Sequence, residues 1–222
     1  MSTQKVGVTR FLGTNCDRDI WKACENLGLT PEWLWHEDQF NIEDYRALII
    51  PGGFSYGDYL RCGALAAKSA VMKSVTEAAK KGVPILGICN GFQILCETRL
   101  LPGVLLRNEG LKFIDDWVEL KASTQNKNWN FPKTLKMPIA HGEGRYFVDS
   151  ESLKLLQDRD QIWVTYASSN PNGSVQDIAG VIGSVDDKTM NIGGLMPHPE
   201  RAMKDWMGST DGQTLLAQFL QV

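Results

Sequence analysis

One stretch of this sequence constrains its fold more than any other. Residues 83–93 read V-P-I-L-G-I-C-N-G-F-Q, an apolar run that ends at Gly87, Cys89 and Gly91 and leads into a helix-compatible segment at 91–98. In the serine form of this motif, G-x-S-x-G, a sharp strand-to-helix turn presents the nucleophile at the carboxyl edge of a sheet, and glycines flank it because larger side chains would collide. The pattern predicts a nucleophile elbow with a thiol as its nucleophile.

Cys89 is predicted to lie just before a helix N-terminus. Unpaired N–H groups and the helix dipole there favour a thiolate, which is the species that attacks. The alternative is a buried cysteine that ends a core strand, and for one cysteine considered by itself that is the commoner case. The flanking glycines and a His-Glu pair far downstream favour catalysis.

The order of elements predicts an α/β protein. Strands at 5–11, 32–36, 45–50 and 83–88 alternate with helices whose apolar faces include Ile20, Leu27, Val71 and Val75. Such alternation predicts a mostly parallel, doubly wound sheet with helices on both faces, which binds ligands at the carboxyl ends of its strands. Beyond Leu101, segments at 110–121, 137–148, 162–167 and 178–196 predict antiparallel or mixed strands, followed by a helix near 214–220. The polar segment 123–133 predicts a surface excursion.

Composition limits the classes of function that the chain can have. A chain of 222 residues is expected to form a single domain, 1–222, and a net charge of −3 with scattered lysines and arginines predicts no nucleic-acid partner. The sequence shows no signal-peptide pattern and no apolar stretch long enough to span a bilayer, so we expect a cytoplasmic protein without a membrane partner. Five irregularly spaced cysteines predict free thiols, with neither disulfides nor a metal site, and Cys24 and Cys96 are expected in the core.

The sequence offers three histidines as partners of the thiol. His36 follows an amphipathic strand and is expected on the solvated surface, while His141 lies in a glycine-rich segment without a spaced carboxylate. His198 lies between two prolines, and in an extended segment Glu200 points to the same face, so its carboxylate can orient the imidazole. The alternative for this pair is a proline-stiffened loop with an ordinary surface ion pair.

The loop at 51–58, P-G-G-F-S-Y-G-D, follows a buried strand and adds backbone donors. The N–H groups of Gly53 and of Asn90, the residue after the nucleophile, are expected to form an oxyanion hole. A phosphate-binding loop is the rival interpretation, but the lysine of that motif is missing.

Five ordered motifs resemble class I (triad) glutamine amidotransferases. They are P-G-G-F-S-Y-G-D-Y-L-R at 51–61, G-I-C-N-G-F-Q at 87–93, A-H-G-E-G-R at 140–145, N-P-N-G-S at 170–174 and P-H-P-E-R at 197–201. The first and fourth are similar to the glutaminase subunits that serve phosphoribosylformylglycinamidine synthases in purine biosynthesis. The resemblance runs nearly from end to end and implies the class I glutaminase (flavodoxin-like) fold.

The resemblance implies a role for each matching position. Cys89 is the nucleophile, His198 the general base and acid, Glu200 the residue that orients it, and Gly53 and Asn90 the oxyanion donors. The pocket for L-glutamine is implied to be lined by Gly52, Phe54, Gln93, Ala140, His141 and Gly142. The resemblance also implies a larger synthetase subunit that uses ATP and Mg²⁺ and receives ammonia, a small third subunit, and no cofactor on this chain.

Two alternatives remain open from the sequence. A cysteine peptidase or deglycase of similar fold uses a similar elbow, although it does not need Pro-His-Pro-Glu or Gln93. The other alternative is a regulatory subunit that kept the fold and lost turnover. The intact Cys89, His198 and Glu200 argue against it.

Overall fold

The computed structural model describes residues 5–122, 132, 134–185 and 190–221. The predicted surface excursion at 123–133 lies outside these residues except for Pro132. The strands are β1 Lys5–Arg10, β2 Thr30–Trp35, β3 Ala47–Ile50, β4 Ile85–Ile88, β5 Val104–Leu106, β6 Ile114–Ala122, β7 Leu135–His141, β8 Arg145–Phe147, β9 Ile162–Tyr166, β10 Ile178–Gly183 and β11 Ile192–Leu195. The α-helices are α1 Asp17–Asn26, α2 Ala70–Lys80, α3 Asn90–Glu97, α4 Ser150–Asp158 and α5 Asp211–Leu220.

Nine strands form one sheet in the order β2-β1-β3-β4-β11-β10-β9-β6-β7. The pairs from β2 to β11 are parallel, and those from β11 to β7 are antiparallel. The predicted parallel sheet, with antiparallel strands contributed by the C-terminal half, is confirmed. Strands β5 and β8 form a separate antiparallel pair.

The central strands explain why the parallel half is stable. Every residue of β3 (Ala-Leu-Ile-Ile) and of β4 (Ile-Leu-Gly-Ile) is buried, as expected for strands covered on both faces. The helices beside them are amphipathic, and α2 buries Val71, Val75 and Ala79 as predicted. Cys24 and Cys96 are buried in the core, also as predicted.

Several elements differ from the sequence prediction, among them strand β5, which no predicted segment covers. Helix α4 was not predicted, and only Leu156 of its nine residues is buried. Its first turn is capped by the Asp149 side chain, which accepts from the Ser152 N–H at 2.8 Å. The segment 137–148 contains β7 and β8, separated by a tight turn at 142–144.

Among the described helices, none combines the length and the apolar character needed to cross a membrane.

The parallel half of the sheet brings four loops to one edge. Strands β1, β3, β4 and β11 run in the same direction, so the segments that follow them begin side by side. The register pairs Ile88 with Leu195, and the Cys89 N–H donates to the Leu195 carbonyl at 2.8 Å. Residues that are far apart in sequence, Cys89 and His198, therefore lie at neighbouring strand ends.

Candidate active site

Cys89 occupies a strained turn between β4 and α3. Its φ and ψ are 51° and −106°, a conformation that costs energy for any residue with a side chain. A Cβ at Gly87 would lie 2.6 Å from the Gly91 carbonyl oxygen, and a Cβ at Gly91 would overlap the Ile50 carbonyl. Both glycines of the motif are therefore required sterically, and the predicted elbow is present.

His198 and Glu200 form a buried pair beside this turn. The His198 Nδ1–H donates to Glu200 Oε1 at 2.6 Å, and the two residues are 1% and 2% exposed. The loop that carries them is anchored because the His198 N–H donates to the Pro138 carbonyl of β7 at 2.8 Å. The pair is thus part of the protein interior, unlike the exposed ion pair that the sequence left open.

The electrostatics of this pair favour a protonated imidazole. Burial alone would lower the pKa of His198, but the Glu200 carboxylate and the Cys89 sulfur outweigh it and hold that pKa well above its usual value. A buried imidazolium is tolerated because the carboxylate compensates its charge directly. The ring is therefore poised to hold a proton beside the Cys89 sulfur.

A cavity of about 520 Å³ contains these groups. Of the residues predicted to bind or act on a substrate, its lining includes Gly53, Phe54, Cys89, Gln93, Ala140, His141, Gly142 and His198. Glu200 and Asn90 are not among the lining residues, but each is hydrogen-bonded to one that is, Glu200 to His198 and Asn90 to Gln93. A Cβ at Gly52 would lie 2.9 Å from His198 Cε1 and 3.4 Å from the Cys89 Cβ. The structure thus brings all the predicted positions together.

The two residues predicted to supply oxyanion donors, Gly53 and Asn90, lie in the loop after β3 and at the start of α3. Gly53 has a φ of +147°, and a Cβ there would lie 2.8 Å from the Asn15 nitrogen, so this turn accepts only glycine. The Phe54 N–H donates to the Gly13 carbonyl at 3.0 Å, which holds the loop against the segment after β1. Asn90 is the first residue of α3, and its N–H has no acceptor within the helix.

The side-chain amide of Gln93 links separate segments of the site through hydrogen bonds. It accepts from Asn90 Nδ2 at 2.8 Å and donates to the Glu143 carbonyl at 2.7 Å, while Asn90 Oδ1 accepts from the Ser55 N–H at 3.2 Å. These bonds link α3 to the 51–58 loop and to the turn after β7. Gln93 lines the cavity, but its polar atoms hold protein segments in place.

His141 is buried in the same cavity but differs from His198. Its Nδ1–H donates to Asn108 Oδ1 at 3.1 Å, because the Asn108 amide nitrogen is already donating to the Lys112 and His141 carbonyls. Burial, followed by the charge of His198, lowers the pKa of His141 to about 4. His141 is therefore neutral near pH 7 and lacks the carboxylate that supports His198.

The N-P-N-G-S motif braces the turn between β7 and β8. Asn172 Nδ2 donates to the Gly144 carbonyl at 2.8 Å, and Ser174 Oγ accepts from the Tyr146 N–H at 2.9 Å. This motif supports the cavity wall from behind.

Several cavity residues were not identified from the sequence. Cys16 and Cys62 both line the cavity, as do Asp58, Glu143 and Arg201. Cys16 lies shortly after the carboxyl end of β1. Its closeness to a predicted strand end is the sequence signal that could have placed it in the site.

The prediction of a solvated His36 is wrong. His36 is only 8% exposed, and its Nδ1 is hydrogen-bonded to the Tyr56 hydroxyl at 2.8 Å. The Tyr56 ring also meets the imidazole edge to face, with the ring centroids 5.4 Å apart. The loop after β3 covers this strand end, which the local sequence around His36 does not indicate.

Comparison with known proteins identifies the family. The CobB/CobQ-like glutamine amidotransferase domain matches residues 3–217. The chain is 47% identical to the phosphoribosylformylglycinamidine synthase subunits PurQ of Nostoc sp. and of Trichormus variabilis, with 98% of this chain and 97% of each relative covered.

Comparison with solved structures supports the same family. A chain in the structure of PurLQS from Thermotoga maritima superposes with a TM-score of 0.86 at 40% identity, covering 100% of this chain and 99% of the other. A glutamine amidotransferase from the same organism, 18% identical with a TM-score of 0.64 and full coverage of both chains, shares the fold. The chain therefore belongs to the CobB/CobQ-like glutamine amidotransferases and, within them, to the PurQ subunits of phosphoribosylformylglycinamidine synthase.

Proposed function

We propose that this chain hydrolyses L-glutamine to glutamate and ammonia and passes the ammonia to a synthetase subunit. The synthetase converts formylglycinamide ribonucleotide to formylglycinamidine ribonucleotide in purine biosynthesis. The observation that carries the proposal is the buried His198–Glu200 pair beside Cys89 at a nucleophile elbow, within a chain that belongs to the PurQ family.

Catalysis begins with the Cys89 sulfur. The sulfur adds to the carboxamide carbon of glutamine, and the N–H groups of Gly53 and Asn90 hold the resulting oxyanion. His198, oriented and charge-compensated by Glu200, donates its proton to the nitrogen, so ammonia leaves as the C–N bond breaks.

The second half of the reaction releases glutamate. Neutral His198 takes a proton from water, and the hydroxide that forms adds to the γ-glutamyl thioester carbon. Collapse of this adduct breaks the C–S bond, and the Cys89 thiolate returns beside the reprotonated imidazole.

The proposal divides labour between subunits. This chain carries no cofactor, whereas ATP and Mg²⁺ act on the larger synthetase subunit, and a small third subunit completes the assembly. Support comes from the 40% identity and near-complete overlap with a chain of PurLQS. A cytoplasmic location is part of the proposal, and it fits five cysteines that are all free.

The loop at 54–61 is the proposed contact with the synthetase. Tyr59 and Leu60 are 76% and 87% exposed, whereas the Tyr56 hydroxyl is bonded to His36, so only part of the loop is available to a partner. Tyr56, Asp58 and Leu60 all have positive φ, a concentration of strain typical of segments that change conformation. We propose that docking orders this loop, sets Gly53 and raises glutaminase activity.

Cys89→Ser tests the proposed function. In the assembled enzyme it should abolish glutamine-dependent synthesis and leave synthesis from added ammonium, because the acceptor chemistry belongs to the partner. Loss of both activities would contradict this division.

Glutamine should also be the preferred substrate over peptides and glyoxal adducts, which separates the chain from peptidases and deglycases of similar fold. Trapping of a γ-glutamyl thioester by acid quench excludes a silent regulatory subunit.

Tyr59→Ala tests the docking surface. We expect it to weaken the complex about tenfold or more, as for an aromatic interface residue. Trp206→Ala is the matched control, because Trp206 is a 78% exposed aromatic outside the loop. Glutamine hydrolysis measured with and without the synthetase tests the gating: full activity of the isolated chain would remove it, and equal effects of the two substitutions would move the interface elsewhere.

A further inference from the structure

The cavity that holds the catalytic pair also contains carboxylates that the proposed mechanism does not use. Asp58, Asp115 and Glu143 line it together with Cys89 and His198. L-Glutamine is a zwitterion, and the mechanism above accounts only for its carboxamide end. The α-ammonium group carries the single positive charge of this substrate, and a carboxylate on the cavity wall is the kind of group that binds it through charge-assisted hydrogen bonds.

Asp58 differs from the other two carboxylates because its charge lacks a partner. Glu143 Oε1 lies 3.6 Å from Arg107 Nε, and Asp115 is exposed to water. Asp58 Oδ1 is buried without a hydrogen-bond partner, and among the described residues no cation acts on this carboxylate. Buried polar atoms without partners are uncommon and call for an explanation.

The surroundings of Asp58 leave its negative charge uncompensated. Burial raises the pKa of Asp58, the neighbouring Cys62 thiol lowers it, and the nearby Glu143 carboxylate raises it again, with a net increase. A bound ammonium group would supply the opposite charge that the protein itself does not place beside this carboxylate.

The backbone of the loop directs Asp58 and the residues after it to different sides. Asp58 lines the cavity, whereas Tyr59 and Leu60 are 76% and 87% exposed. The φ of Asp58 is 54°, in the left-handed region that aspartate and asparagine adopt more readily than most residues. The same short segment therefore presents a carboxylate to the cavity and apolar side chains to the outside.

We propose that the Asp58 carboxylate binds the α-ammonium group of L-glutamine and thereby makes the site specific for an amide that carries an α-amino group. The inference rests on the proposed glutaminase activity, because that activity supplies the substrate. Asp58 neither attacks the substrate nor transfers a proton. Its contact persists from the bound substrate to the transition state, so its loss should raise KM more than it lowers kcat.

The experiment compares two substrates of the assembled enzyme, L-glutamine and glutaramic acid. Glutaramic acid keeps the carboxamide and the carboxylate of glutamine and lacks the α-amino group. In Asp58→Asn, loss of a hydrogen bond between charged groups should lower kcat/KM for L-glutamine about 10- to 150-fold, mainly through KM. For glutaramic acid kcat/KM should not fall, because that compound never makes the contact.

Asp115→Asn is the matched control for the loss of a carboxylate from this cavity. Asp115 lines the same cavity but is exposed to water, so its replacement should leave the preference for L-glutamine unchanged. Thermal unfolding establishes that each variant is folded. If Asp58→Asn is not folded, Asp58→Gly decides in its place, because glycine also adopts this φ and lacks the carboxylate.

Three results would overturn the assignment. They are an unchanged kcat/KM of Asp58→Asn for L-glutamine, an equal fall for both substrates, and a wild-type enzyme that uses the two substrates equally well. The second of these would indicate a merely structural role for Asp58. A wild-type enzyme that hydrolyses neither substrate would refute the proposed function together with this inference, so the two failures are distinguishable.

Discussion

Replacing Glu200 with glutamine tests the proposed catalytic pair most directly. The substitution keeps the volume of the side chain and removes a negative charge 2.6 Å from His198 Nδ1. Because both residues are almost completely buried, water screens this interaction little. A hydrogen bond to a charged group contributes about 1.5–3 kcal/mol, so its loss should lower kcat/KM about 10- to 150-fold.

The same substitution should also shift the pH dependence of the reaction rate. Glu200 raises the pKa of His198, so without the carboxylate the ring loses its proton at lower pH. The alkaline limb of the pH–rate profile should therefore move to lower pH in Glu200→Gln. His198→Ala, which removes the acid and base entirely, should cost more, about 10²- to 10⁴-fold or greater.

The assay is glutamine-dependent synthesis by the reconstituted complex, with ammonium-dependent synthesis measured in parallel. Only the first activity should fall. Glu25→Gln, at an exposed glutamate paired with Lys22, is the control and should have no effect. The proposed pair would need replacing if Glu200→Gln were harmless or as damaging as His198→Ala, with His141 the next candidate.

Three further predictions follow from the site and its support. The electrophile 6-diazo-5-oxonorleucine should label Cys89 and none of the other four cysteines, as checked by peptide mapping; stoichiometric labelling elsewhere with Cys89 unmodified would contradict its role. Gly91→Ala should lower the free energy of unfolding by at least about 1–3 kcal/mol in urea titrations, because the new methyl overlaps the Ile50 carbonyl; unchanged stability would contradict the packing of α3 on β3. His141 has a pKa of about 4 in the folded chain, so the unfolded chain binds more protons between pH 6.5 and 4 and stability falls as pH drops through that window. His141→Asn should reduce this acid loss by an amount on the order of 3 kcal/mol, and an unchanged pH dependence of unfolding would contradict the buried, neutral imidazole.

Local features of the chain were predictable from sequence because they depend on short-range geometry. The glycines around Cys89 identify a sharp strand-to-helix turn, since any side chain at Gly87 or Gly91 collides with backbone nearby in the fold. The spacing of His198 and Glu200 places them together because alternate residues of an extended segment share a face. Apolar spacing identified α1 and α2, and the elbow motif identified α3, whereas α4, which buries only one side chain, was not predicted.

What the sequence by itself determined is thus the kind of nucleophile, its turn, the His-Glu pair and the α/β alternation. Only the tertiary structure decided which distant segments meet. Parallel pairing of β4 with β11 brings His198 to Cys89, and the end of β1 brings Cys16 to the same cavity. The same packing buries His36 under Tyr56 and leaves His141 neutral beside Asn108. The physical reason is that burial, charge compensation and strand register depend on contacts between residues far apart in the chain, and such contacts leave no periodic pattern in the local sequence.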